Sequence, residues 1–278
     1  MFKAILGGLV LAVVVSTGAF AGSIDGSLSD WGVTPGANWN NTVGASQWLE
    51  TGVGSNGYVG PGWGGQPFNV EALYLQIDAT YLHYAIVTGF PETGTTNDGT
   101  KYYPGDIFFD FQPFYVPSGS TTPTGVMNFA IETTSYDTGN HTHGGKTSEG
   151  QGAGSFYSDV TPTLAGATLD DVFYPVEIKR SGTSQLAAGT LVGATDFVYN
   201  DTYYGSDHWV MEGQVPLSYF GDLPGEGGYL WWTMTCSNDI GRLSMDIPMG
   251  QIPEPGTILL TGSGLLLGVG YLLRRRMK

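Results

Sequence analysis

Alternating hydrophobic and polar positions in the middle of the chain predict β-strands. The clearest case is VEALYLQID (70–78), which places Val70 and Ala72 on one face and Glu71 and Leu73 on the other. A short Asp-Ala-Thr turn follows, and then comes the β-branched and aromatic run YLHYAIVTG. Two such runs around a short turn predict an antiparallel hairpin.

The remaining strand candidates are short runs of β-branched and aromatic residues between turn signals. They are residues 106–111, 125–134, 153–159, 171–180, 190–199, 208–216, 230–239 and 241–247. One short helical turn is expected at 217–220, and no longer helix before residue 251. About ten short strands joined by glycine-rich turns predict an all-β fold, a jelly-roll-like β-sandwich over residues 22–250.

The N-terminal segment has the pattern of a cleavable signal peptide. Lys3 supplies a positive charge, residues 5–15 are apolar, and Ala19-Phe20-Ala21 is a small-x-small cleavage sequence. Residues 1–21 are therefore expected to engage the export machinery and to be removed by signal peptidase after Ala21. The alternative is an uncleaved anchor helix.

The C-terminal segment has the pattern of a transmembrane helix with a basic end. Residues 257–273 carry no charge and are mostly apolar, which at about 1.5 Å per residue spans a thin hydrocarbon core. Arg274, Arg275 and Arg276 follow directly. By the positive-inside rule these arginines stay in the cytoplasm, so the domain before them faces outward.

Pro253, Glu254 and Pro255 stand just before the apolar run, where two prolines favour an extended backbone. A Pro-Glu-Pro motif, an apolar helix and an arginine cluster in this order resemble a PEP-CTERM sorting signal over residues 252–278. The resemblance implies processing by an exosortase, a membrane enzyme of Gram-negative bacteria that make exopolysaccharide. It implies an exported protein of the cell surface or biofilm matrix. The alternative is a plain membrane anchor with a chance Pro-Glu-Pro.

The composition is poor in charge but strongly acidic. Charged residues make up 13% of the 278 residues, and the formal net charge is −15. Five of the 10 basic residues lie at the two ends, and one of the 25 acidic residues lies in the tail. The segment between the two ends therefore contains 24 acidic and 5 basic residues. Such a surface repels nucleic acid, and no nucleic-acid partner is expected.

No catalytic motif stands out, and we expect a protein that is not an enzyme. Residues 22–250 contain no Gly-x-Ser-x-Gly elbow. Asp106 and Asp110 share a strand face, but four residues put their backbones about 13 Å apart, too far for a glycosidase pair. His141 and His143 have a metal-binding spacing within a glycine-rich loop, and the single cysteine, Cys236, allows no internal disulfide. A secreted glycoside hydrolase stays the least favoured alternative.

A structural calcium ion is compatible with an acidic extracellular sandwich, because calcium takes six to eight oxygen ligands. No EF-hand spacing is present. The candidate ligands are acids expected at strand ends or turns, namely Asp25, Asp30, Glu71, Asp78, Asp106 and Asp239.

The opening SIDGSLSDW (23–31) resembles the start of carbohydrate-binding module family 9 and DOMON-like sandwiches, which implies a sugar-binding domain. A pyranose packs its C–H face on aromatic rings. Six aromatic residues in expected loops are candidates for such a surface: Trp39, Trp63, Tyr102, Tyr103, Tyr203 and Tyr204. The alternative is that these rings pin loops onto the sandwich.

Three hypotheses follow from the sequence. The first is a non-catalytic surface or matrix protein that is sorted by exosortase and binds exopolysaccharide weakly. The second is a structural or adhesive surface protein without a glycan site. The third is a secreted hydrolase. All three place the domain outside the inner membrane, with the C-terminal helix in that membrane before processing.

Overall fold

The computed structural model describes residues 22–50, 64–111, 127–133, 152–166, 173–178, 180–181, 186–187, 189–200, 204–205, 207–221 and 227–245. Both predicted sorting segments, 1–21 and 251–278, lie outside these residues. Among the described residues, no helix is long and apolar enough to cross a membrane.

The described residues form seventeen β-strands and three single turns of 3-10 helix. The strands are β1 (Ser46–Leu49), β2 (Val70–Ile77), β3 (Tyr81–Thr88), β4 (Thr95–Asn97), β5 (Thr100–Tyr102), β6 (Ile107–Asp110), β7 (Met127–Ile131), β8 (Ser155–Val160), β9 (Pro162–Gly166), β10 (Phe173–Ile178), β11 (Arg180–Ser181), β12 (Leu186–Ala187), β13 (Thr190–Ala194), β14 (Asp196–Asn200), β15 (Trp209–Pro216), β16 (Gly228–Thr233) and β17 (Ile240–Met245). The helical turns are Leu28–Trp31, Gln66–Phe68 and Leu217–Phe220.

Two antiparallel sheets make up the body of the fold. The first has five strands in the order β1-β2-β3-β15-β14. The second has six strands in the order β13-β8-β7-β6-β16-β17. Three small two-strand ladders, β4-β5, β9-β10 and β11-β12, complete the described strands. The all-β expectation is confirmed, as is the β2-β3 hairpin with its turn at 78–80.

The main hydrophobic core lies between the two sheets. It joins Leu73 and Tyr84 of the first sheet to Phe109 and Trp232 of the second, all of them fully buried. The rings of Tyr84 and Phe109 meet edge to face with their centroids 5.9 Å apart. Because side chains alternate along a strand, burial of one face per sheet produces a sandwich.

The predicted helical turn Leu217–Phe220 is confirmed, and it delivers an aromatic side chain into this core. The Phe220 ring contacts Phe129 and Phe156 edge to face, at centroid distances of 5.1 and 5.2 Å. Phe129 and Phe156 are themselves stacked at 5.4 Å. Each buried phenylalanine of this kind stabilises the fold by about 1.5–3 kcal/mol.

Residues 22–45, the N-terminal cover, pack on the outer face of the first sheet. Leu28 and Trp31 are fully buried there, against Ala72, Tyr74 and other side chains of that face. The tyrosine hydroxyl of Tyr74 donates to the backbone oxygen of Trp39 at 2.6 Å. Leu28 and Trp31 thus belong to a second buried cluster, separate from the core between the two sheets.

The β9-β10 hairpin, the hairpin cover, contributes to the outer face of the second sheet. Ile178 of β10 joins Phe108, Ala130 and Tyr157 in a third buried cluster. The backbone N–H of Asp106 donates to the Val176 carbonyl at 2.8 Å, which fixes β10 beside the start of β6. Both sheets therefore carry buried apolar clusters on their two faces.

The single strand expected at 190–199 is wrong, because the chain changes sheets in its middle. Residues Thr190–Ala194 pair with β8 in the second sheet, and Asp196–Asn200 pair with β15 in the first. Thr195 stands at the corner, where its backbone N–H and its hydroxyl each donate to the Gly154 carbonyl at 2.8 Å. The side-chain pattern is continuous across a corner of this kind, so the sequence does not show that the chain moves from one sheet to the other.

Gly105 sits where three chain segments come together. Its carbonyl accepts bonds from the Thr133 hydroxyl at 2.8 Å and from the Trp232 indole at 3.0 Å. A Cβ at this position would overlap the backbone carbonyl oxygens of Thr233 and Val176. Both oxygens belong to β-strands, so neither moves easily.

Gly105→Ala is expected to lower the free energy of unfolding by roughly 3 kcal/mol or more, because the new methyl group overlaps two strand backbones. The measurement is the denaturant midpoint of the purified protein. Gly36→Ala is the control: Gly36 has a φ of 79° with nothing within 4 Å of a new Cβ, so only a backbone penalty of about 1 kcal/mol applies. Equal midpoints for the two variants would show that the crowding at Gly105 is not tight.

Candidate functional site

Buried carboxylates are the most unusual chemical feature of the described residues. Glu71, Asp106 and Glu212 are each 0% exposed, in a chain with few charges. Burying a charged group is costly unless hydrogen bonds compensate for the lost water. The partners of each carboxylate therefore show what it does.

Glu212 lies on the outer face of β15 and holds the N-terminal cover in place. One carboxylate oxygen accepts the backbone N–H groups of Asp25 and Gly26, at 3.1 and 2.8 Å. The other accepts the indole N–H of Trp31 at 2.9 Å. The first chain segment after the predicted signal peptide is thus anchored to the middle of the first sheet by one side chain.

Burial raises the pKa of Glu212 to about 7. The three N–H donors pull the pKa down and the nearby Asp25 carboxylate pushes it up, but loss of water dominates. Glu212 in turn contributes to the raised pKa of Tyr84 and of Tyr204, whose burial is the larger cause. The carboxyl group of Glu212 therefore changes its charge close to neutral pH.

Asp106 does for the hairpin cover what Glu212 does for the N-terminal cover. Its carboxylate accepts the backbone N–H of Ile178 at 2.8 Å and that of Thr133 at 3.2 Å. Ile178 ends the hairpin cover, and Thr133 follows β7. The side chain thus ties together three segments that meet near Gly105.

Glu71 is the extra residue of a β-bulge. The register of β2 against β3 slips between Val70 and Ala72, so Val70 joins the main core, whereas Ala72 faces the N-terminal cover. The expectation that Val70 and Ala72 share a face is therefore wrong. One oxygen of the Glu71 carboxylate accepts a hydrogen bond from the side-chain amide of Gln66 at 2.8 Å. The other oxygen lies 2.9 Å from Nδ1 of the His208 ring. Bulges commonly redirect one side chain in this way.

Asp239 links the two sheets next to this bulge. Its carboxylate accepts the backbone N–H of Val70 at 2.6 Å and that of Ile240 at 2.8 Å. Burial raises the pKa of Asp239 to about 6, with further contributions from the negative charges of Glu50 and Glu71. Four carboxylates thus have both oxygens bonded to donors of the protein itself: Glu71, Asp106, Glu212 and Asp239. This arrangement holds chain segments together.

The calcium candidates do not assemble into a site. Among the described residues, no three histidine, cysteine, aspartate or glutamate side chains are grouped so that they could hold a metal ion. Asp78 accepts the N–H groups of Thr80 and Tyr81, and the His83 ring lies 3.0 Å from it. Asp25 accepts the N–H of Ser27, and Asp30 that of Ser23. His141 and His143 lie outside the described residues.

The predicted sugar-binding aromatics lie in two separate places. Trp39 is 6% exposed in the N-terminal cover, with its ring edge-on to His208. Tyr204 is half-buried near it, and its hydroxyl accepts the Leu28 N–H at 2.8 Å. Tyr102 packs edge to face on Phe68, and its neighbour Tyr103 is 5% exposed under Lys101.

Trp63 and Tyr203 lie outside the described residues, as do the sorting residues Ala19, Ala21, Pro253, Glu254, Pro255, Arg274, Arg275 and Arg276. The described aromatics make contacts within the protein, as loop-pinning rings do. A sugar site built from the six stays a prediction.

One surface group was missed by the sequence reasoning. On the outer face of the second sheet, the exposed Arg242 of β17 lies over the rings of Tyr229 and Trp231. Trp232, the next residue of β16 after Trp231, belongs to the core between the sheets. What was missing was the register of β16 against β17, which sets Arg242 opposite Trp231.

The raised pKa values of Glu212 and Asp239 predict that the protein loses stability as the pH rises. Each of these groups binds its proton more tightly in the folded protein than in the unfolded chain. Ionising it therefore lowers the free energy of unfolding, and this loss grows from about pH 4 and is complete above pH 7. Between pH 5 and pH 8 we expect a loss of about 4 kcal/mol, or a fall of roughly 8–16 °C in Tm. Calorimetry of the purified protein across this range measures it.

Glu212→Gln should flatten this dependence, because the substituted side chain does not ionise. Asp98→Asn, at an exposed turn position, is the matched control and should keep the wild-type slope. A Tm that rises from pH 5 to pH 8, or a slope that Glu212→Gln leaves intact, would contradict the assignment.

Comparisons with known proteins add no relative. The chain matches no protein-family model. Neither the curated proteins nor the solved structures give a significant match. A proposal for its function therefore rests on its own residues.

Proposed function

We propose that the chain is a non-catalytic protein of the bacterial cell surface or extracellular matrix, built as a jelly-roll-like sandwich. A signal peptide starts its export, and a C-terminal transmembrane helix holds it in the inner membrane with the domain outward. An exosortase then removes the tail. The mature domain acts in the exopolysaccharide that surrounds the cell, through weak contact with glycans.

The observation that carries this proposal is the order of features in residues 252–278. A Pro-Glu-Pro motif, an uncharged apolar run and three consecutive arginines follow one another without interruption. The orientation that the arginines favour agrees with the one that the N-terminal segment favours, although the two signals are independent.

The buried carboxylates support the non-catalytic part of the proposal. A hydrolase needs carboxyl groups that reach a substrate, with one acting as acid and another as base or nucleophile. Glu71, Asp106 and Glu212 are instead fully buried, with both oxygens engaged by protein donors. The burial of these carboxylates is explained by the chain segments that they hold in place.

An adhesive or structural role is the second candidate, and the edge strand β13 favours it. Leu191 and Val192 are 41% and 38% exposed on this strand, which pairs with β8 at the end of the second sheet. An uncharged edge with exposed apolar side chains can add a strand from another chain. Self-association of the secreted protein would favour this role over glycan contact.

Sorting is tested by following the protein in an exosortase-containing host. Wild-type protein is expected outside the cell, with an intact mass that begins at Gly22 and lacks the apolar run and the arginines. Glu254→Ala should leave the protein in the membrane fraction with its tail attached. Mass spectrometry of the membrane and extracellular fractions measures both.

Glu226→Ala is the matched control, because it removes one acid outside the tail motif and should be processed like the wild type. A host without exosortase should retain every variant in its membrane. Release of Glu254→Ala at the wild-type mass, or extracellular wild-type protein with an intact tail, would refute the proposed sorting.

A further inference from the structure

Arg242 forms an exposed cationic platform with two aromatic residues. Its guanidinium carbon lies 3.6 Å from the ring centroid of Tyr229 and 4.5 Å from that of Trp231. The two rings are edge to face, with centroids 5.9 Å apart. Tyr229 and Trp231 are two residues apart on β16, so they share the outer face of the sheet.

The platform is the end of a row that crosses the second sheet. The register aligns Tyr157, Ala130, Phe108 and Trp231 on four neighbouring strands, with Arg242 next in line on the edge strand β17. Tyr157, Ala130 and Phe108 are at most 1% exposed. At the edge, Trp231 is still buried at 9% exposure, whereas Arg242 is open to solvent.

Arg242 has no acidic partner among the described residues, although acids are abundant. The region between the two ends carries 24 acids and 5 bases, yet none of the described carboxylates forms an ion pair with Arg242. A lone arginine in an acidic surface would ordinarily find a carboxylate. Here two aromatic rings hold it, which leaves its charge available.

A guanidinium that lies on an aromatic face keeps its N–H donors free around its edge. These donors form a planar fork that matches the two oxygens of a carboxylate. The neighbouring Tyr229 and the exposed Ser244 opposite it on β17 add a partly exposed ring and a hydroxyl group. The group thus offers one carboxylate position with a hydroxyl group beside it.

We propose that Arg242, held by Tyr229 and Trp231, binds the carboxylate of a uronic acid in an anionic polysaccharide. This rests on the proposed function, since it names the kind of glycan that the surface protein contacts. A uronate brings a carboxylate for the guanidinium and hydroxyl groups for Ser244, whereas a neutral sugar leaves the charge of Arg242 unmatched. The acidic remainder of the protein repels the polymer, so the contact is local and weak.

The test is affinity electrophoresis of the full-length chain, in a mild detergent, through gels containing polygalacturonate. EDTA is present throughout, so that calcium does not bridge the acidic protein to the acidic polymer. Wild-type protein should be retarded in a saturable way. Polygalacturonate whose carboxyl groups have been reduced to alcohols should retard it at least fivefold less.

Two substitutions test whether binding needs the guanidinium group itself or only a positive charge. Arg242→Gln should weaken retardation at least fivefold, and Arg242→Lys should weaken it at least threefold because an ammonium group lacks the planar fork. Lys101→Gln is the matched control: it removes one positive charge from another residue that lies over an aromatic ring, Tyr103, and should stay within twofold of the wild type. Equal Tm values confirm that the exposed substitutions leave the fold intact.

The proposal is overturned if wild-type protein is not retarded, if the reduced polymer binds equally well, or if Arg242→Gln binds like the wild type. Equal losses in Arg242→Gln and Lys101→Gln would also overturn it, since general charge would then explain the binding. Because the protein is purified before the test, failure here is separate from failure of export or tail processing, which is read from the cell fractions.

Discussion

The structure depends on carboxylates that are buried in order to accept backbone N–H groups. Each sheet buries one face against the other sheet, and part of each outer face is covered by chain that belongs to neither sheet. A covering segment brings polar backbone groups into an apolar contact, and these groups need partners. Glu212 supplies them for the N-terminal cover and Asp106 for the hairpin cover. Without these acceptors, both covers would bury unpaired donors.

This arrangement gives part of the acidic composition a structural purpose. A carboxylate accepts several hydrogen bonds at once and satisfies two strands or loops with a single side chain. The cost appears in the pKa of Glu212 and of Asp239, which burial raises toward neutrality. Protonation of these two groups at mildly acidic pH therefore favours the folded state. The same scarcity of bases draws attention to Arg242, which has no carboxylate partner within the described part of the chain.

The sequence predicts the strands well where one face is apolar and the connection is short. The β2-β3 hairpin and the turn at Leu217–Phe220 follow from residue type and spacing alone. The bulge at Glu71 and the corner at Thr195 do not, because each depends on a partner far along the chain. Thr195 is held by Gly154, and Val70 by Asp239.

The polar groups of the candidate sites are also brought together by residues that are far apart in the sequence. The hydrogen bond between Trp31 and Glu212 joins residues that are 181 positions apart. Tyr229, Trp231 and Arg242 come together only through the pairing of β16 with β17. Local pattern therefore predicts where strands form, and strand register decides which polar groups meet.

Hydrogen exchange of Asp106→Ala, compared with the wild type, tests the role of the buried carboxylates most directly. The backbone N–H of Ile178 and its neighbours in 173–178 should exchange at least tenfold faster, because the acceptor that holds the hairpin cover is gone. Protection of β2 and β3, in the other sheet, should be unchanged. Unaltered exchange in 173–178, or an equal loss of protection in both sheets, would contradict the view that Asp106 serves to hold this cover.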